Sequence, residues 1–163
     1  MIIAFWLPGF ILFWGLTYSH AKLADWLPKS DSVDAPLVGR FFYASLASLA
    51  LGLLINAARG VIVDNLFYFV TCLKRAEINN VHLKNEETLA AFQAAVENHY
   101  RYYQYYANSL VAIFGATVAY VFSKKEFPPT LNFILIIAIL VILAWAARKE
   151  LDAFNQRATD ITR

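Results

Sequence analysis

A single cysteine and a single methionine occur in 163 residues. Cys72 therefore has no partner for an internal disulfide, and a structural zinc site would need three or four Cys and His ligands close together. Charge is sparse as well. Asp, Glu, Lys and Arg make up 16% of the chain, 14 bases against 12 acids for a net of +2. That balance gives no whole-protein field to gather nucleic acid or acidic substrates, so no nucleic-acid partner is expected.

Enzyme signatures are missing too. There is no Gly-rich phosphate loop, no G-x-S-x-G, no H-E-x-x-H and no pair of acids at a hydrolytic spacing. His20, His82 and His99 are scattered, and His99 has no His or acid three or four residues away, which argues against a helical metal pair. The Asn-x-x-Glu signature of four-helix membrane enzymes that transfer glutathione is also absent, since Asn98 is followed at plus three by Arg101. The expectation is a non-enzyme without cofactor or metal.

What the chain does have is apolar length. Hydrophobic residues make up 60% of it, with a mean hydropathy of +0.49. Four runs carry no charge: Ile2 to Ser19, Phe41 to Ala58, Tyr102 to Ser123 and Phe127 to Ala147, together 79 residues. All 26 charged side chains fall in the other 84 positions. Segments that long exclude an outer-membrane barrel, whose strands are alternating stretches of about ten residues. About 20 apolar residues cross a bilayer core. The fold expected is therefore all-α, a polytopic helical membrane protein with four spans near 2–19, 41–60, 102–123 and 127–147. Ser19-His20-Ala21 resembles a signal cleavage site, but the basic n-region is missing and Trp6 and Trp14 stud the run, so it is expected to remain as the first span. Leu7-Pro8-Gly9 predicts a kink in it.

Two helices should outrun the membrane. From Phe41 the apolar pattern continues past Arg59 to Leu73, 33 residues or about 50 Å as helix, against a core of about 30 Å. Asn85 is a suitable N-cap, and Leu89, Phe92, Val96, Tyr100, Tyr103 and Tyr106 recur at helical spacing, so a helix from Glu86 should run into the third span unbroken. Residues 61–101 are read as a cytosolic helical stalk and 148–163 as a cytosolic tail with Leu151, Phe154 and Ala158 on one face. The loop from His20 to Arg40 has turn chemistry in Asp25, Pro28, Ser30, Asp31, Asp34 and Pro36. Lys and Arg number eight on the side holding both termini and five on the other, which places the termini in the cytoplasm of a bacterial-type inner membrane.

Candidate sites follow from polar residues in apolar surroundings. Ser45, Ser48, Gly52, Asn56, Arg59 and Gly60 form a small and polar stripe on the second helix; Asn108, Ala112, Gly115, Ala116 and Ala119 form one on the third. Such stripes let backbones approach, so the two faces should meet each other or a neighbouring subunit. The alternative is a pore lined by Ser48, Asn56, Arg59 and Asn108. Arg59 and Asp64, the charges nearest the interior, stand about 140° apart on an ideal helix and should not pair with each other. A cytosolic-mouth cluster is expected from Glu97, His99, Arg101 and Gln104, amid a run of tyrosines from Tyr100 to Tyr106 that suits an interface. The functional expectation is an oligomeric membrane anchor, sensor or signal-relay subunit with a cytosolic protein partner; the alternative is an ion-conducting permeability effector.

Overall fold

A computed structural model describes residues 3–27, 37–71, 75–76 and 85–161, and these are all-helical apart from turns. The expected turn residues from Pro28 to Pro36, the segment 77–84 of the stalk, and Cys72, His82 and Arg163 lie outside the described residues. The elements are α1 (Ile3–Thr17), α2 (Ala21–Ala24), α3 (Leu37–Ala58), α4 (Asp64–Thr71), α5 (Glu86–Ala95), α6 (Arg101–Lys124) and α7 (Thr130–Ile161). A π-helical turn, Arg59–Val63, joins α3 to α4, and a second, Val96–Tyr100, joins α5 to α6.

Each long helix follows from its sequence. With no breaker at Ala58, α3 and α4 make one rod, apolar from Val38 to Val70. Asn85 adopts an extended conformation and its side chain accepts from the Glu87 N–H, which starts α5; the helix then runs without a break to Lys124. Lys125 ends it with a left-handed φ of 54°, its N–H bonded to the Val121 carbonyl, and Pro128-Pro129 prevent continuation. The helical spacing of Leu151, Phe154 and Ala158 in the tail is matched by the structure, where α7 continues through Arg148 to Ile161.

Three helices are long and apolar enough to cross a membrane: Val38–Val70, Glu86–Lys124 and Thr130–Ile161. The first run forms a helix of 15 residues, about 22 Å, because the chain turns at Tyr18 and Ser19.

α1 packs against both α3 and α6. The small-residue stripes on α3 and α6 close on α1 rather than mainly on each other, because α1 supplies small residues of its own. A Cβ on Gly9 would lie 1.7 Å from the Ser48 carbonyl oxygen, and one on Gly52 would lie 2.0 Å from the Phe5 carbonyl oxygen. A Cβ on Gly15 would meet Ala116 at 2.4 Å. The contacts of Gly9 and Gly52 are backbone on backbone, which only glycine permits. α1 is tied at its far end as well: Ser19 Oγ donates to the Ala119 carbonyl at 3.0 Å, and Ser123 Oγ donates to the Tyr18 carbonyl.

The other ends of the rods pack around aromatic side chains. Tyr103, Ala107, Ala147 and Leu151 form one buried cluster with Phe67, Tyr68, Tyr100 and Tyr106 against it. Farther along, Ala95, Phe154 and Ala158 are buried beside Phe92 and Val96. Phe154 and Ala158 thus face α5 and the second π-turn, and Leu151 faces Tyr103 and Ala107 of α6, rather than solvent.

Candidate functional site

Arg59 is the most deeply buried charge among the described residues, 3% exposed. Its neighbours are set by the first π-turn. In an α-helix, residues five apart point to different faces, and this is why no Arg59–Asp64 pair is expected from spacing. The i→i+5 winding of a π-turn places them on the same face. The structure overturns that expectation: Arg59 Nη1 lies 2.8 Å from Asp64 Oδ1 and 3.1 Å from Oδ2. Arg59 Nη2 donates to Asn56 Oδ1 at 3.3 Å, one turn back.

α6 completes the group. The Tyr103 hydroxyl donates to Asp64 Oδ1 at 2.5 Å, and the Arg59 guanidinium sits 5.2 Å from the centroid of the Tyr103 ring. Tyr103 is fully buried, with Phe67 edge-on at 6.4 Å and Tyr100 tilted at 5.9 Å. The carboxylate is therefore held by a cation from its own rod and a hydroxyl from the next, which fastens the two rods together. The sequence marks Tyr103 only as one member of a helical stripe and of the tyrosine run. Its position on the Phe92–Val96 stripe, facing α4, is the signal that could have joined it to Asp64.

The second π-turn does the same for α7. His99 Nδ1 lies 2.8 Å from Glu150 Oε2. Tyr68 of α4 donates to Asn155 Oδ1 of α7 at 3.3 Å, so α7 is tied to both rods. The layer leaves hydrogen-bonding capacity over: Arg59 Nε, His99 Nε2 and Asn155 Nδ2 are buried without a partner. Buried polar atoms of this kind call for a physical account.

The remaining expected site residues lie elsewhere. Glu97 and Arg101 pair with each other at 3.1 Å along one helix, on its exposed side, while His99 turns to α7. Gln104 is half-buried one turn past Arg101. The four are not one cluster. Ser48 is fully buried under α1, its Oγ donating to the Ala44 carbonyl at 2.7 Å. Asn108, also fully buried, donates through Nδ2 to the Ala4 carbonyl at 3.1 Å. That carbonyl is the one Pro8 would serve in a regular helix had it an N–H. Asn108 replaces the missing donor, a repair that apolar surroundings require because no water can make it.

Among the described residues no three of His, Cys, Asp and Glu converge as a metal would need. No protein-family model matches the chain, and neither a curated protein nor a solved structure is significantly similar to it.

Proposed function

We propose that the chain is a non-enzymatic integral membrane module, an oligomeric anchor and sensor that relays a change in the bilayer, or in a cytosolic partner, along its rods. In this reading α1 is a short fourth crossing of a bacterial-type inner membrane. The termini and the segment between α4 and α5 lie in the cytoplasm, and the aromatic-packed ends of the rods form the stalk.

The observation that carries the reading is the pair of π-turns, joined across the rods by Arg59, Asp64 and Tyr103. π-turns are rare and concentrate at functional sites. A π-turn holds one residue more than an α-turn, so its relaxation rotates everything beyond it by about 100°. Such a rotation would swing Asp64 off Arg59 and turn α4 against α7. The unpartnered donors of Arg59 and Asn155 support a second arrangement in which they find acceptors. Bilayer thickness acts on rods of this length through mismatch, at fractions of a kcal/mol per Å, enough to bias two nearly balanced states.

The test uses Phe69, which is exposed on α4. A Phe69→Cys variant in a Cys72→Ser background, placed in vesicles of short-chain and then long-chain phosphatidylcholine, should differ several-fold in thiol labelling rate. Arg59→Gln should abolish that difference. Equal rates in both vesicles with Arg59 intact would overturn the relay. Conductance in a planar bilayer, with ion preference altered by Arg59→Glu, would instead establish the pore, for which α1 must first leave the Ser48 and Asn108 face that it covers.

A further inference from the structure

Across α6 from α4, a cavity of about 760 Å³ opens between α1 and α7. Its lining is graded. The deep end is apolar, with Phe10, Ile11, Ile113 and Ile136; the middle has Trp14 and Thr117; the end nearest the α6–α7 turn has Tyr18, Tyr120, Asn132 and Lys124. From Ile113 to Lys124 the groove follows α6 over twelve residues, a rise of about 16 Å. That is half of a hydrocarbon core of about 30 Å, the depth of one leaflet.

The groove exists because α1 and α7 both lean on α6 without closing on each other. Gly15 seated on Ala116 draws α1 to one side of α6. Pro128 and Pro129 make up the lip at the turn, where α7 departs. The T-shaped Tyr18–Tyr120 pair at 5.3 Å walls the outer end, and Trp14 Nε1 donates to the Tyr18 hydroxyl at 3.3 Å.

We infer that this groove seats one acyl chain of an anionic phospholipid drawn from the leaflet on the side of the α6–α7 turn, with its phosphate at Lys124. Three observations select that occupant. The apolar depth equals one chain in one leaflet, which a soluble ligand would not need. Polarity rises in one direction only, as it does along a lipid. The charged residue in the lining is a cation at the headgroup end, which complements a phosphate and gives a several-fold preference for anionic over zwitterionic lipid. A lipid wedged there would also hold α1 against α3, through the contacts of Gly9 and Gly52.

This inference rests on the membrane placement proposed above, and the test separates the two. Trp14 is half exposed on the groove and reports on its contents. The other tryptophans, Trp6, Trp26 and Trp145, are changed to Phe. The variant is then reconstituted in vesicles with brominated phosphatidylglycerol or brominated phosphatidylcholine, each titrated into unlabelled phosphatidylcholine. The expected result is half-maximal quenching at a several-fold lower mole fraction of the anionic lipid. Lys124→Gln should bring the two curves together, whereas Arg148→Gln, which removes a like charge at a second groove on the α4 side, should leave them apart. Thr117→Phe, which fills the groove, should weaken quenching by both lipids toward that of a freely lipid-exposed tryptophan. Coincident curves with Lys124 intact would overturn the anionic lipid site while leaving the membrane placement standing. Failure of either lipid to quench Trp14 would overturn both.

Discussion

Pro8 leaves the Ala4 carbonyl without its helical donor, and Asn108 supplies one from another helix, so the two positions should be energetically coupled. Asn108→Leu orphans a buried acceptor and should destabilise by about 1–3 kcal/mol. In a Pro8→Ala background the helix makes its own bond, and the same substitution should lose well under half of that. Unfolding in mixed micelles, run as a double-mutant cycle, reads the difference; additive losses would refute the repair. The Arg59–Asp64 pair should behave asymmetrically. Asp64→Asn strips a buried guanidinium of its counterion and should be the worse change, by about 3 kcal/mol or more. Arg59→Met leaves a carboxylate that is more open to solvent and still bonded to Tyr103, and should be milder; both changes together should recover part of the loss. At this scale the sequence was legible in part. Asn85 could be read as a cap because a cap is a local event. The Arg59–Asp64 pair could not, because spacing arguments assume 3.6 residues per turn and the only local sign of a departure is Gly60 beside the arginine. Nor could His99–Glu150, which joins residues 51 apart whose helices meet only in the fold.

The long elements, α1 included, are readable from hydrophobic runs, whereas the place where α1 packs is not. Continuity through Ala58 and through Arg101 follows from the absence of breakers, and it is what the structure has. The seat of α1 was hidden because small-residue stripes announce close approach without naming the partner. Three glycine substitutions separate seat from surface. Gly9→Ala and Gly52→Ala drive a methyl into a facing carbonyl and should each lower the melting temperature in detergent by several degrees, the equivalent of about 1–3 kcal/mol. Gly60 has open space where its Cβ would lie, so Gly60→Ala should be neutral or stabilising by up to about 1 kcal/mol. A similar loss at all three positions would mean that α1 is not held where the structure has it.

At the scale of the whole molecule, the charge count and the rods make a topological prediction. Reporter fusions at the N- and C-termini should both register as cytoplasmic, and an N-terminal reporter on the opposite side would reduce α1 to a segment that enters and returns. The order of synthesis adds a consequence of the bond between Asn108 and Ala4. The carbonyl is made 104 residues before its donor exists. At roughly 5–20 residues per second, the first helix waits on the order of 5–20 s with that group unsatisfied. During that interval it gains α3's face, complete by residue 58, but not α6's, and a chain stopped before α6 would present an unfinished helix to whatever machinery inspects nascent membrane proteins. The late arrival of one asparagine thus marks the closing of α1's seat, with α7 still to be made.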